Sequence, residues 1–334
     1  MATQPRLRDV AERANVSVSL VSSYLNTPEQ VAQKSRTKIA AAIDELGFVP
    51  NQAARQLRSG KSKMLAFIAF DIGDPFFSAV ARGAQKRASE AGLSLVLADT
   101  DGDAEAEESY VALFEEHRVR GVLLAPAHEG DRHLRRLAST KIPAVLIDQD
   151  SPSDSWSSVS VDNEAGGRLA VEHLLEQGCR RIAVVGGTLD IPQVVSRRKG
   201  AAHAVDGVGD AALVVIDTST RDSSAGLEAV ARLRGSGISF DGAFCVNDSV
   251  AAGVLQALER ERTAVPQAVA VIGYNDMAED VVGIADLSSV RQPHEEFGAT
   301  AVELILEQID ATIPARQVRF EPRLVVRRSS RRTE

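Results

Sequence analysis

The sequence predicts an all-α head over residues 1–50 and an α/β body of two doubly wound parallel-sheet lobes over residues 64–334. Apolar residues in the first fifty positions recur at helical spacing, which is typical of short amphipathic helices. From Met64 onward, short apolar runs alternate with stretches of helix length, which indicates parallel strands with crossover helices. The polar stretch RSGKSK lies between these patterns, so residues 51–63 are predicted to form a hinge and linker.

The composition is that of an ordinary globular protein. The chain has 334 residues, of which 44% are hydrophobic and 25% are charged, and its length favours more than one domain. It has no apolar run of membrane-spanning length, and its start lacks the apolar segment of a secretory signal. We therefore expect a cytoplasmic protein, with Cys179 and Cys245 as buried thiols in a reducing compartment.

Charge is unevenly distributed along the chain. Residues 1–63 contain ten Lys and Arg against five Asp and Glu, although the whole chain has a net charge of −8. A basic head on an acidic body indicates a polyanionic partner for the head alone, such as double-stranded DNA. Charge by itself is equally compatible with a solvated surface cluster.

Three apolar stripes predict three helices in the head. They are Leu7/Val10/Ala11/Ala14, Leu20/Val21/Tyr24/Leu25 and Ile39/Ala42/Ile43/Leu46. Asn15 suits the tight turn between the first two helices, Ser17 suits the following N-cap, and Gly47 suits the last C-cap. Two helices joined by a tight turn form a helix-turn-helix, which presents its second helix to a DNA major groove.

The outward face of the second helix is unusually small. It consists of Val18, Ser19, Ser22 and Ser23. One interpretation is a solvent face of short side chains; the other is a face small enough to approach base edges.

The stretches DVAERANVSVSLVSSYLN and SRTKIAAAIDELGFVPNQAARQL resemble the amino-terminal domain of the LacI-type family of bacterial transcription regulators. The resemblance covers the whole head. It implies that Val18, Ser19, Ser22 and Ser23 hold the recognition positions, with Ser22 and Asn26 near phosphates. It also implies a hinge helix over residues 51–57, where Leu57 enters the minor groove beside Ala54. The full set of expected DNA-binding residues is Leu7, Ser17, Val18, Ser19, Ser22, Ser23, Asn26, Asn51, Ala54, Arg55 and Leu57.

Two positions depart from the family's pattern. Ser23 stands where an arginine is usual, so that position has no bidentate contact to guanine. Ala32 stands where a Ser or Thr N-cap is usual, which should cost on the order of 1 kcal/mol. We therefore expect hinge insertion and DNA deformability to contribute much of the specificity.

Eight apolar runs in the body are predicted strands, and helix-length segments separate most of them. Examples of these helices are residues 79–91, 164–177, 249–260 and 295–309. The family resemblance continues here and implies the periplasmic-binding-protein-like fold, with one lobe over residues 64–161 and 293–320 and the other over 162–292 and 321–334. The predicted strands are 65–70, 93–99, 121–125, 144–148, 182–186, 213–217, 243–247 and 269–274.

Polar residues follow the predicted strands, where doubly wound sheets bind ligands. From the strand ends we predict Asp74, Asp101, Asp148, Asn247 and Asn275 as hydrogen-bonding residues for a small hydroxyl-bearing ligand. The resemblance adds Phe76 and Phe77 in the DPFF loop, and Arg197 at the effector-binding arginine. Asn275 replaces a usual Asp, which removes a charge and leaves the identity of the ligand open.

Enzymatic motifs are missing or misplaced. The stretch GVGDAA, residues 207–212, fits a dinucleotide fingerprint but follows a helix and precedes a strand, so it is predicted to be a loop. No phosphate-binding loop, nucleophile elbow or metal-ligand spacing is present in the sequence, so we expect no catalytic residue, cofactor or metal.

We therefore expect a regulator of the LacI type, and a repressor by the family default. It should bind a near-palindromic operator and be controlled by a small polar effector between the lobes, carbohydrate-like in character. A homodimer is expected, because the sequence ends just past its last strand without a tetramerisation helix. The alternative is a solute-binding protein of a transporter, which would share the body but lack the basic head.

Overall fold

The computed structural model describes residues 5–49, 62–126, 132–187, 191–277, 286–310 and 314–332. The chain divides into two compact units, Met1–Ser62 and Lys63–Glu334. Each unit has its own core and is described by itself.

The first unit contains three α-helices: α1 (Leu7–Ala14), α2 (Val18–Asn26) and α3 (Gln33–Leu46). A short 3₁₀ helix, Pro28–Gln30, lies between α2 and α3. The predicted stripes meet in one core, because each helix turns its apolar side inward. The buried residues of this core are Val10, Ala11, Ala14, Val21, Ile39, Ala42 and Phe48.

Helix ends in this unit follow the predicted capping residues. Asn15 adopts the left-handed conformation, with φ of 52°, and the hydroxyl of Ser17 accepts a hydrogen bond from Leu20 N at 3.2 Å. Gly47 ends α3 with φ of 59°. Ala32 occupies the N-cap of α3 without a side-chain hydrogen bond, so the first turn of α3 lacks this stabilisation.

The second unit contains two six-stranded sheets. The first sheet has the order β11-β5-β4-β3-β1-β2, and its recorded strand pairs are all parallel. Its strands are β1 (Met64–Ala69), β2 (Ser94–Asp99), β3 (Gly121–Leu124), β4 (Ala144–Ile147), β5 (Ser157–Val161) and β11 (Gln317–Phe320). Helices α4 (Pro75–Glu90), α5 (Ala104–Glu116), α6 (Arg132–Ser139) and α11 (His294–Asp310) accompany it.

The second sheet has the order β12-β10-β9-β8-β6-β7, with β12 antiparallel to β10. Its strands are β6 (Arg181–Val185), β7 (Ala212–Ile216), β8 (Gly242–Cys245), β9 (Ala270–Asn275), β10 (Ser288–Arg291) and β12 (Arg323–Val325). Helices α7 (Asn163–Glu176), α8 (Pro192–Val205), α9 (Ser223–Gly235) and α10 (Asp248–Arg260) accompany it. We refer to the two sheets with their helices as the first and second lobes.

All eight predicted strands are present, with ends shifted by one or two residues. Strand β5 was not among them, because its sequence SSVSV resembles a polar loop. The strand is nevertheless fully buried between β4 and β11, and the Ser157 hydroxyl there accepts hydrogen bonds from Gln308 Nε2 and Arg316 N. Serine hydroxyls are buried at low cost when they find such partners.

Paired glycines bring helices into close contact in both lobes. A Cβ on Gly200 of α8 would lie 1.9 Å from the carbonyl oxygen of Glu164 on α7, and one on Gly167 would lie 1.9 Å from Arg197 O. In the first lobe, a Cβ on Gly298 would lie 2.0 Å from Val80 O. Only glycine permits these approaches, which fix the position of α8 and of the arginine that it carries.

Two further predictions concern single features. Cys179 and Cys245 are buried free thiols, as predicted. Residues 207–211 of the GVGDAA stretch form the predicted loop between α8 and β7, whereas Ala212 begins β7. In the part of the chain that the structure describes, no helix combines the length and apolar character needed to cross a membrane.

Candidate DNA interface and ligand cavity

Helix α2 presents a small, uncharged outer surface. Val18 is 44% exposed, Ser19, Ser23 and Asn26 are exposed, and Ser22 is half-buried. Val21 faces the opposite side and is fully buried, so α2 is held by the core along one face only. These small, uncharged side chains would allow α2 to approach the base edges in a DNA groove closely.

Some polar groups at this surface already have local partners. Ser17 Oγ lies 2.9 Å from Ser19 Oγ, and Asn26 Nδ2 donates to Ser22 O at 2.9 Å. Leu7 is half-buried against the core of the unit. The other predicted DNA contacts, Asn51, Ala54, Arg55 and Leu57, lie outside the described residues.

Seven of the eight predicted ligand residues line one cavity between the two lobes. This inner cavity lies at the carboxyl ends of the strands, as expected for doubly wound sheets. The eighth residue, Asp101, instead lines a separate outer cavity. The seven are Asp74, Phe76, Phe77, Asp148, Arg197, Asn247 and Asn275.

Arg197 is the central residue of the second-lobe wall. Its side chain is buried, its Nε donates to Asn163 Oδ1 at 2.8 Å, and its Nη1 donates to Val246 O at 2.6 Å. The guanidinium also lies 3.7 Å from the centre of the Tyr274 ring. These contacts orient the guanidinium without any ligand.

Two asparagines complete the second-lobe wall. Asn247 is the N-cap of α10, where its Oδ1 accepts from Val250 N at 2.8 Å, and its Nδ2 donates to Arg221 O at 2.9 Å. Asn275 Oδ1 accepts from Gln292 Nε2 at 2.7 Å. Both amides are therefore held in defined orientations.

Aromatic rings dominate the first-lobe wall. Phe76 and Phe77 are buried at the start of α4 and meet edge to face, with ring centres 5.1 Å apart. Asp74 is the N-cap of α4, where its Oδ1 accepts from Phe76 N at 3.0 Å. Its other oxygen accepts from Asn247 Nδ2 at 3.3 Å, which joins the two lobes.

Asp148 offers a hydrogen-bond acceptor to a ligand in the inner cavity. The residue is buried, adopts a left-handed conformation with φ of 58°, and its Oδ1 has no hydrogen-bond partner among the described residues. Burial raises the pKa of Asp148 to about 7, although Arg197 and Arg221 act in the opposite direction. A hydroxyl donor on a ligand would satisfy this oxygen.

Sequence reasoning missed several residues of the inner cavity. Gln193 donates from its Nε2 to Asp148 O at 2.5 Å, from the second lobe to the first. Arg221 lies in the loop between β7 and α9. Neither residue directly follows a strand, so the strand-end rule could not identify them; a search of the following loops for long polar side chains could have done so.

Comparison with known proteins places both units. Residues 6–51 match the model of bacterial regulatory proteins of the lacI family, and residues 171–330 match the periplasmic binding protein-like domain. The ribose operon repressor of Halalkalibacterium halodurans is 32% identical over 332 residues, which cover 97% of each chain.

Solved structures give the same result. The lac repressor dimer bound to operator and the anti-inducer ONPF matches 98% of this chain and 99% of that chain with a TM-score of 0.84, at 24% identity, and so supports the fold. A LacI family transcriptional regulator from Enterococcus faecium with bound ribose is 26% identical, with a TM-score of 0.71 over 80% of this chain and 98% of that one.

These matches extend over almost the whole chain and include both the helix-turn-helix and the two-lobed body. They confirm the predicted fold and the predicted function as a DNA-binding transcription regulator with a small effector. The chain belongs to the lacI family of bacterial regulatory proteins.

Proposed function

We propose that this regulator is a cytoplasmic, homodimeric repressor that reads its operator with α2 and takes a small sugar in the inner cavity. Residues 1–50 would read DNA, residues 51–63 would form the hinge and linker, and residues 64–334 would bind effector and the second subunit. The lobes would comprise residues 64–161 with 293–320, and 162–292 with 321–334. A role in regulation is favoured over catalysis because the relatives are named as repressors.

The observation that carries the effector site is the buried acceptor of Asp148 beside fixed donors. Arg197 and the amides of Asn247 and Asn275 surround the same cavity, and Phe76 and Phe77 form an apolar side. Sugars combine hydroxyls with an apolar ring face, so a few oriented polar groups beside aromatic rings suit them. The ribose named for relatives makes a pentose the first ligand to test.

Asp148→Asn tests this site with little change of shape. Titration calorimetry with D-ribose and a panel of pentoses should show binding to the wild type that falls at least tenfold in the variant. Asp150→Asn is the control, because Asp150 lies nearby but does not line the inner cavity. Unchanged sugar affinity in Asp148→Asn would reject the site.

The DNA surface is tested by adding one negative charge to α2. Val18 is the first residue of α2, where an acidic side chain suits the helix dipole but would repel phosphates. Val18→Asp should therefore fold normally and lose most of its operator affinity. Ala41→Glu adds the same charge on an exposed position of α3 and should have a smaller effect.

Operator titrations at increasing salt separate a regulator from a solute-binding protein with the same body. Logarithmic affinity should fall linearly and steeply with logarithmic salt concentration, with preference for the operator over scrambled DNA. Affinity without sequence preference would contradict a sequence-specific repressor.

The dimer is supported by exposed apolar side chains on one edge strand of each sheet. Val96 and Leu97 on β2 are 37% and 42% exposed, and Val215 on β7 is 40% exposed. Exposed apolar residues on sheet edges are typical of covered surfaces. Sedimentation should show a dimer, and Leu97→Lys should shift it toward monomer; a wild-type tetramer at micromolar concentration would contradict the proposal.

A further inference from the structure

The inner cavity and the outer cavity adjoin each other in the cleft between the lobes. The two cavities share Phe70, Asp74, Ile191 and Arg221 as lining residues. The inner cavity has about 40 Å³ of space for water, against about 680 Å³ in the outer one. About 10–15 Å³ of such space accommodates one water, so the inner cavity has room for only a few waters with its wall residues in these positions.

Arg221 belongs to the second lobe but is bound to the first. Its Nη2 lies 3.1 Å from Asp71 Oδ2, and its guanidinium carbon lies 4.4 Å from the centre of the Phe70 ring. Both partners follow β1 in the first lobe. The contact therefore joins the lobes across the cleft, and it must break when the lobes separate.

Arg221 offsets part of the effect of burial on the pKa of Asp71. The carboxylate is half-buried, and burial raises its pKa while Arg221 lowers it. Its Oδ1 accepts from Gly73 N at 2.8 Å, so the carboxylate is oriented toward Arg221 by its own loop. Without the guanidinium, a half-buried carboxylate would remain beside two further acids, Asp74 and Asp101.

The outer cavity is strongly acidic. Among the described residues, four carboxylates line it, against one guanidinium, that of Arg221; the four belong to Asp71, Asp74, Asp101 and Asp222. Hydrogen bonds from Ser224 and Thr220 hold the pKa of Asp222 below its usual value, so this group stays ionised. An anion approaching through the outer cavity meets repulsion at distances shorter than the screening length of about 8 Å in physiological salt.

We propose that Arg221 and Asp71 form a gate between the lobes that selects effectors by their charge. The gate admits a small uncharged polyol and excludes the phosphorylated form of the same polyol. This inference rests on the proposed sugar site. An uncharged ligand reaches the inner cavity when the Arg221 side chain moves aside. It does not compete for the guanidinium, so Arg221 can pair with Asp71 again once the ligand has passed. A phosphorylated ligand must compete with Asp71 for Arg221 and pass the remaining carboxylates.

The selectivity is tested with D-ribose and D-ribose 5-phosphate on the full-length protein. The wild type should bind the phosphate at least a hundredfold more weakly than the neutral sugar. Asp71→Asn removes the competing carboxylate, so the ratio of the two affinities should fall at least tenfold. Arg221→Gln should weaken phosphate binding further or leave it undetectable.

Arg234→Gln is a matched control. Arg234 also pairs with an acid at 3.1 Å, Glu261, and also lies over a phenylalanine ring, but both partners belong to the second lobe. This variant should keep the wild-type ratio of affinities. An unchanged ratio in Asp71→Asn would overturn the charge selection.

A measurement without ligand separates the gate from the effector assignment. Small-angle scattering of the ligand-free protein should show a larger radius of gyration in Arg221→Gln and Asp71→Asn than in the wild type and Arg234→Gln. If no sugar binds but the radius increases, the effector assignment fails and the inter-lobe contact stands. If sugars bind but the radius and the affinity ratio are unchanged, the gate is wrong.

Discussion

The two walls of the inner cavity differ in how far their polar groups are already bonded. On the second-lobe wall, Arg197, Asn247 and Asn275 each make hydrogen bonds of 2.6–2.9 Å within their own lobe. On the first-lobe wall, Asp148 is buried, and one of its carboxylate oxygens has no hydrogen-bond partner in the part of the chain that the structure describes. The rings of Phe76 and Phe77 line the same wall.

Because of this difference, we expect the two lobes to contribute differently to ligand binding. Donors that are oriented by their own fold lose little conformational entropy when a ligand arrives. An unpartnered buried acceptor costs free energy until a donor satisfies it. The second lobe therefore resembles a preformed half-site, and the first lobe gains most from binding, which favours lobe closure on the ligand.

The largest expected loss of stability is in the helix contact behind the second-lobe wall. Gly200→Ala would place a Cβ 1.9 Å from Glu164 O, a backbone atom that cannot move without separating α7 from α8. We expect the free energy of unfolding to fall by about 3 kcal/mol, measured by urea denaturation. Gly209→Ala, with open space around its Cβ, should change it by less than about 1 kcal/mol; similar values for both would contradict close helix packing.

Arg197→Leu tests whether the second-lobe wall is bonded as tightly as its distances indicate. The variant leaves Asn163 Oδ1 and Val246 O without their donor, so stability should fall by about 2 kcal/mol and sugar binding should be lost. Lys199→Gln on the same helix removes only an exposed ion pair to Glu164 and should be nearly neutral in thermal unfolding. If Arg197→Leu were as stable as the wild type, the hydrogen bonds of the second-lobe wall would not contribute to stability as we infer.

Asp148→Asn should leave the first-lobe wall stable, because Asp148 Oδ1 accepts no hydrogen bond from any described residue. In the wild type, the pKa of Asp148 is about 7 in the folded protein against a usual value of 3.8, and this difference gives the sign of the pH dependence of stability. The folded state binds the extra proton between these values, so the Asp148 contribution to stability falls as pH rises from about 4 to about 7.

The difference in melting temperature between Asp148→Asn and the wild type isolates this contribution. The variant should gain stability relative to the wild type as pH rises from about 4 to about 8, with most of the change below about 7. A difference that is constant across this range would show that the Asp148 carboxyl does not titrate as its burial requires.

Asn275→Asp has the smallest expected effect. The new carboxylate can still accept from Gln292, and it offers a ligand hydroxyl a charged acceptor, so sugar affinity should rise by only a few-fold in calorimetry. The double variant Asp148→Asn/Asn275→Asp sharpens the comparison. If the double variant regained wild-type sugar affinity, a carboxylate on either wall would serve equally well. That result would contradict different contributions of the two lobes to binding.

The sequence by itself determined much of the secondary structure and several residues of the inner cavity. Periodic apolar residues require burial, so the three helices of the head and the eight strands could be predicted from spacing alone. Asp148, Asn247 and Asn275 could be predicted as cavity residues because the ends of parallel strands converge at one edge of a sheet. The small face of α2 and the missing N-cap at Ala32 were also visible in the sequence.

The tertiary structure decided what depends on contacts between distant segments. Strand β5 is buried despite its serines, because β4 and β11 lie on either side of it. Asp101 lies in the outer cavity rather than the inner one, and Arg221 enters the cavity wall from a loop by pairing with Asp71, 150 residues away. Local patterns determine which residues are buried or follow a strand, but the path of a loop and the closure of two lobes are set by long-range packing.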